Sequence, residues 1–250
     1  MASRDSLPLE GIRVVDVGVS VAVPFATMWL ARMGAEVICL ESRRHITQRL
    51  WPPFADDLHG ENRAGTFNLL HSGKMSCTLD LGKPRGRELA EAIIRVSDVL
   101  VENFSFGTMD KLGLGPHRLR GLRPDLIILS LSAFGRTGPM APYGGYHSAV
   151  LLYSGLAAIT GYRGAHPRIL GSVFPDPISG AYAVLGILEA LYHRSSTGRG
   201  RHIDLAMYEA MLTVMPQAIM EHTLNGKAPQ RMGNEDPVKV PHGVYPCRDE

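Results

Sequence analysis

"IRVVDVGVSVAVPFATMWLARMGAEVICLE", residues 12–41, decides the fold. It opens with a short β-branched run, "IRVVDV", apolar on both sides of the chain, as in a strand of a parallel sheet covered on both faces. "PFATMWLARMG" then reads as a helix, with Pro24 near its start and Gly34 just past its end. "AEVICLE" (35–41) is a second strand. Strand, helix and strand within about thirty residues make a βαβ unit, the building block of parallel α/β sheets.

The pattern recurs downstream. "SCTLDL" reads as a strand, "KPRGRELAEAIIRVS" as a helix and "DVLVEN" as a strand. Two short helices follow at "FGTMDKLG" and "PHRLRGLR", then a strand at "LIILSLS". The polar segment from Arg43 to Gly73, rich in Pro, Gly and His, is predicted as a long functional loop. "YHSAVLLYSGLAAITG" is predicted as one helix ending near Gly161, and "IDLAMYEAMLTVMPQAIMEH" as a short strand and one further helix. The fold class is therefore α/β, a Rossmann-like, mostly parallel sheet with flanking helices.

Composition narrows the function classes. The 250 residues carry a formal net charge of +2, with 45% hydrophobic and 20% charged residues, the profile of an ordinary globular protein. The basic residues, including Arg43–Arg44 and Arg194–Arg201, are scattered and form no nucleic-acid stripe. Cys39, Cys77 and Cys247 are odd in number and far apart, and neither they nor the ten histidines show metal-ligand spacing. A reducing, cytoplasmic compartment and no metal are expected. "MASRDSLPLEG" has no signal-peptide core, and "VGVSVAVPFATMWLA" is too short and too interrupted to span a membrane. The first βα turn lacks GxGxxG, Glu41 alone is a weak ribose ligand, and "HSGK" (71–74) lacks the first glycine of a P-loop. Classical NAD and P-loop chemistry are set aside.

"VFPDPISGAYAV", residues 173–184, holds one acidic residue, Asp176, between two prolines and before an apolar run. Local grammar reads Asp176 as an N-cap with Pro177 in the first helical position. Ile178, Ala181, Tyr182, Leu185, Leu188 and Leu191 continue at helical spacing to about Ser195. A helix N-terminus stabilises negative charge, so such a cap stays ionised near neutral pH and the same carboxylate is able to do chemistry.

In combination, "LPLEGIRVVDVG", "MGAEVICLE", "VENFSFGTMDKLGL", "LIILSLSAFGRTGP", "STGRGRHIDLAMYEA" and "PHGVYPCRDE" resemble the class III CoA-transferases, a family that includes formyl-CoA transferase, carnitine CoA-transferase and the α-methylacyl-CoA racemases. The resemblance runs from about Leu7 to Glu250. It implies that "DPISG" carries the family's catalytic Asp at Asp176, which attacks a thioester to give an acyl–aspartyl anhydride and then an aspartyl–CoA thioester. It further implies coenzyme A contacts at Ala22 and Val23 in the early loop, at Lys74 in "HSGKMS", and at Asn103, Phe104, Met109 and Lys111. For Lys74 and Lys111 the alternative is solvated surface charge, and for Asn103 a turn residue bonded to its own backbone.

The chain departs from the family at several points. "AVP" replaces an early A-G-P loop, Ser42 stands where a basic residue is usual with Arg43 and Arg44 following, and "HSGKMS" lacks an Asn and two arginines. "GYH" (145–147) stands where racemases have "GHD", which favours CoA transfer over racemisation and makes His147 a pocket-lining or helix histidine. The resemblance thus implies an enzyme moving CoA between an acyl-CoA and a carboxylic acid. An acyl-CoA racemase or isomerase with Asp176 as base, and a non-catalytic CoA-binding subunit, are the alternatives. Residues 1–224 are expected to form the large domain and 225–250 a linker, the unpaired, strand-like beginning of a smaller domain. Family chains continue beyond that point and interlock in pairs, so a homodimer or a complementing C-terminal subunit is expected, and the 250-residue chain alone is expected to be associating and nearly inactive.

Overall fold

A computed structural model describes residues 6–249 apart from 44, 45 and 172. Arg44 and Glu250, both drawn on above, lie outside the described residues. In chain order the elements are β1 (Arg13–Asp16), α1 (Ala22–Arg32), β2 (Glu36–Glu41), α2 (Gly65–Leu70), β3 (Met75–Thr78), α3 (Pro84–Arg95), β4 (Val99–Glu102), α4 (Thr108–Lys111), α5 (Pro116–Leu122), β5 (Ile127–Ser132), α6 (His147–Tyr153), α7 (Leu156–Ile159), α8 (Pro175–Thr197), β6 (His202–Ala206), α9 (Met207–Leu212) and α10 (Pro216–Asn225).

The six strands form one sheet in the order β3-β2-β1-β4-β5-β6, and every pairing is parallel. Side chains alternate between faces, so β1, β2, β4 and β5 each feed two cores. Val14, Val37, Val101, Leu129 and Leu131 pack with α1, α6, α8 and α9 on one face. Val15, Leu100 and Ile128 pack with α3, α4 and α5 on the other. Each such residue, sealed from water, contributes roughly 1.5–3 kcal/mol of transfer free energy.

Strand order reverses between β1 and β4, and in open sheets of this kind the crevice beyond the strand carboxyl ends at that reversal is where ligands bind. α1 begins at this edge, directly after β1, and α8 packs along it. Gly180 makes the close approach possible: a Cβ there would stand 2.7 Å from Phe25 Cδ1 and 2.9 Å from the Ala22 carbonyl oxygen. The first turns of both helices therefore meet at the same edge of the sheet.

Three expectations are corrected. The 43–73 segment is not an open loop, because it holds α2, a 3₁₀ turn at Ala55–Asp57 and a bridge between Phe54 and Ala64. The helix predicted to end near Gly161 is two helices, interrupted where Gly155 adopts a left-handed φ of +83°. The helix after β6 is likewise two, because Pro216 lacks the amide that would continue α9 and instead starts α10. After Asn225 the described residues form turns and irregular chain. No helix among the described residues is long and apolar enough to cross a membrane.

Candidate active site

The 23-residue helix α8 starts at Pro175, with Phe174 in the capping position and no side-chain cap. Asp176 is thus inside the first turn rather than the N-cap, and Pro175, not Pro177, leads the helix. Both prolines are tolerated because first-turn amides have no intrahelical partner to lose. The carboxyl group of Asp176 is 8% exposed. Its Oδ2 has no hydrogen-bond partner. Burial raises this carboxyl to about 6, against the charge of His147 and hydrogen bonding from the backbone amides of Ala22 and of Asp176 itself. It is the free amide at the start of α1 that bears on it, so two helix N-termini converge on one carboxylate.

His147, the first residue of α6, brings Nδ1 to 3.9 Å from Asp176 Oδ2. That is ion-pair range but too long for a hydrogen bond. The residue lines the site beside Asp176.

Below the site lies a buried ion pair. Lys74 Nζ donates to Asp16 Oδ2 at 2.9 Å, to Thr27 Oγ1 at 2.7 Å and to the Pro24 carbonyl at 2.9 Å. Its side chain is 1% exposed and that of Asp16 is wholly buried. Burial alone would raise the Asp16 carboxyl, but the Lys74 charge and hydrogen bonds from Thr27, Lys74 and the Gly18 amide hold it below its ordinary value. Lys74 is therefore not a solvated surface charge. All three of its protons are engaged in fixing the turn between β1 and α1.

Asn103 does not bond its own backbone. Its Oδ1 accepts from the Val19 amide and its Nδ2 donates to the Val19 carbonyl, both at 2.8 Å. It joins the loops after β1 and β4 across the strand-order reversal. Phe104 is partly buried against the second core, Met109 is sealed within it, and Lys111 is exposed. Ala22 and Val23 are buried in the first turn of α1. Glu41 is taken by Arg49 through two hydrogen bonds of 2.6 and 2.7 Å, and also accepts from Ser76.

Sequence reasoning missed a second buried pair, Glu102 at the end of β4 with Arg136 in the loop after β5. The Arg136 amide also donates to both carboxylate oxygens of Asp204, at 2.9 Å each. The signal was available: Glu102 ends an apolar strand, and an acidic residue there needs a cation. Among the described residues no group of three His, Cys, Asp or Glu is placed to hold a metal.

CoA-transferase family III matches residues 9–250 of this sequence. The chain belongs to CoA-transferase family III. A succinate–glutarate CoA-transferase from Agrobacterium fabrum is 38% identical over 245 residues, covering 97% of this chain and 61% of that relative. An acetyl-CoA:oxalate CoA-transferase from Acetobacter aceti is 35% identical, covering 97% of this chain and 62% of that relative. The crystal structure of a CAIB/BAIF family protein from Brucella suis superposes with a TM-score of 0.89 at 37% identity, over 94% of this chain and 62% of that one. As a member of family III, the chain thus spans about three-fifths of the length of these relatives.

Proposed function

We propose that this chain forms the nucleophile-bearing part of an enzyme that transfers coenzyme A between an acyl-CoA and a carboxylic acid, with Asp176 as the attacking group. One observation carries the reading: Asp176 Oδ2 is buried, lacks a hydrogen-bond partner and belongs to a carboxyl that ionises near pH 6. A carboxylate in that state is charged at neutral pH yet stripped of water, which a nucleophile toward a thioester needs. Attack on the thioester carbonyl forms an acyl–aspartyl anhydride and expels the CoA thiolate. The thiolate returns to the aspartyl carbonyl, releasing the first acid, and the acceptor acid takes over CoA through a second anhydride. The first-turn amides of α1, at Ala22 and Val23, are the donors for the developing oxyanion.

In this reading CoA enters over the strand-order reversal. Asn103 holds the two loops that frame it, Phe104 supplies an apolar wall over Met109, and Lys111 is the exposed cation for a phosphate. Lys74 supports this footprint from beneath. Tyr182, Leu185 and Tyr192 leave an exposed apolar row along α8, which supports association with a second copy or a complementing subunit. Racemisation fits less well. Two bases must flank the α-carbon, whereas His147 and Asp176 stand within ion-pair range of each other.

The test is exchange: the protein is incubated with paired acyl-CoAs and carboxylic acids, and products are read by chromatography. Formation of the acceptor's CoA thioester supports transfer. Deuterium uptake at the α-carbon without exchange supports racemisation, and binding of CoA with neither supports a non-catalytic role.

A further inference from the structure

His147 is placed for a role that the nucleophile alone does not fill. Tyr146 is extended, with φ −105° and ψ 172°, and α6 starts immediately after it. This sets the imidazole Nδ1 3.9 Å from Asp176 Oδ2, a buried carboxylate oxygen without a hydrogen-bond partner. The His147 side chain is 29% exposed, against 8% for Asp176, so the imidazole stands between the buried carboxylate and the open side of the site. The other charged groups on elements packed against α8 are Arg32 at the far end of α1, Glu209 of α9, and His202 and Asp204 of β6. None of these bears on the ionisation of Asp176, and His147 is the charged side chain that does.

Resting on the reading of Asp176 as nucleophile, we propose that His147 is a positioning residue that acts as the charge partner of Asp176, first holding the carboxylate ionised and aimed, then balancing the charge of the departing thiolate. The movement of charge through the reaction gives such a partner a role at each step. When Asp176 Oδ2 bonds to the thioester carbonyl carbon, the C–S bond breaks and its electron pair leaves on sulfur. The negative charge moves from the carboxylate to the CoA thiolate, and no proton moves. A cation beside Oδ2 loses its first partner and is left next to the second. When the thiolate attacks the aspartyl carbonyl, the acid leaves as a carboxylate and the negative charge has moved on again. The His147 side chain, on the open side, faces all three anions without changing place.

The test uses the full chain labelled with ¹³C-carboxyl aspartate, with the Asp176 signal identified by its loss in Asp176→Asn. Wild type is expected to titrate near pH 6. His147→Gln keeps polarity and removes the charge, so its midpoint is expected to rise by about 0.5 pH unit or more, with little change in melting temperature. His147→Lys restores a cation and is expected to bring the midpoint back down. A midpoint unmoved in His147→Gln, or one that moves only together with loss of the fold, overturns the proposal. The titration needs no turnover, so it fails or succeeds independently of the nucleophile reading. A raised midpoint with no CoA adduct on Asp176 overturns that reading, and the thiolate-balancing half of the proposal with it.

Discussion

The side-chain amide of Asn103 and the backbone of Val19 exchange two hydrogen bonds of 2.8 Å across a sequence separation of 84 residues. They close the point at which the strand order of the sheet reverses, so Asn103 acts on any ligand there through the loop it holds. Asn103→Ala is expected to lose about 1–2 kcal/mol of stability, because both hydrogen bonds are solvent-exposed, and to weaken CoA binding in calorimetry. Asn103→Asp keeps the acceptor but sets a carboxylate against the Val19 carbonyl, so it should be no better than the alanine variant. Unchanged CoA affinity in both variants would remove these loops from the binding footprint.

Lys74 and Asp16 lead to a prediction about the sign of pH dependence. The Asp16 carboxyl is held below its ordinary value, so its contribution to stability is present above that ordinary value and is lost as pH falls through the folded one. Lys74→Met removes the cation and leaves Asp16 sealed, which costs about 3–5 kcal/mol at neutral pH. Burial then governs Asp16 and raises it, so the variant becomes less stable as pH rises through the carboxylate range. Chemical denaturation between about pH 2 and 8 reads both slopes, that of wild type below the ordinary carboxylate value of 3.8 and that of the variant above it. A variant with wild-type stability at every pH would mean that the ion pair does not hold the turn.

Asp176 runs the opposite way. Its folded value of about 6 lies above the ordinary 3.8, so its stability contribution is full below 3.8 and is lost as pH rises through about 6, by at most about 3 kcal/mol. Asp176→Asn removes this penalty. Its melting temperature is expected to exceed that of wild type at pH 8 by about 2–4 °C for each kcal/mol recovered, and the gap should close near pH 4. An asparagine variant less stable than wild type at pH 8 would show that the carboxylate is not buried against its own ionisation.

Gly180 couples the packing of α1 and α8 to the site. An added methyl would stand 2.9 Å from the Ala22 carbonyl oxygen and 2.7 Å from Phe25, and backbone cannot yield as a side-chain end can. Gly180→Ala is expected to cost about 1–3 kcal/mol through overpacking. It should also slow reaction at Asp176 by shifting the Ala22 amide. Loss of stability with unchanged reactivity would confine Gly180 to packing.

Much of this was legible in the sequence, for physical reasons. A strand buried on both faces must be continuously apolar, which is why β1, β2, β4 and β5 stand out as β-branched runs. Asp176 stands out through "DPISG" and the family resemblance it carries, because local grammar alone reads a carboxylate there as a helix cap. The cap reading failed because either proline can lead a helix, and local grammar does not choose between them. The Lys74–Asp16 pair was hidden by a separation of 58 residues, since a lysine in a turn looks solvated until its partner is found. Its trace was nevertheless present, because Asp16 inside a β-branched run and Thr27 inside an apolar helix are polar groups in a core, and such groups need a partner. The His147 contact depends on how α6 docks against α8, which periodicity does not encode.

Mass spectrometry of the protein after incubation with an acyl-CoA, followed by peptide mapping, tests the central claim most directly. The account predicts a CoA thioester on the peptide containing Asp176 and its absence in Asp176→Asn, in a preparation shown free of deamidated protein. A CoA adduct on any other residue, or one that forms undiminished in Asp176→Asn, would contradict it.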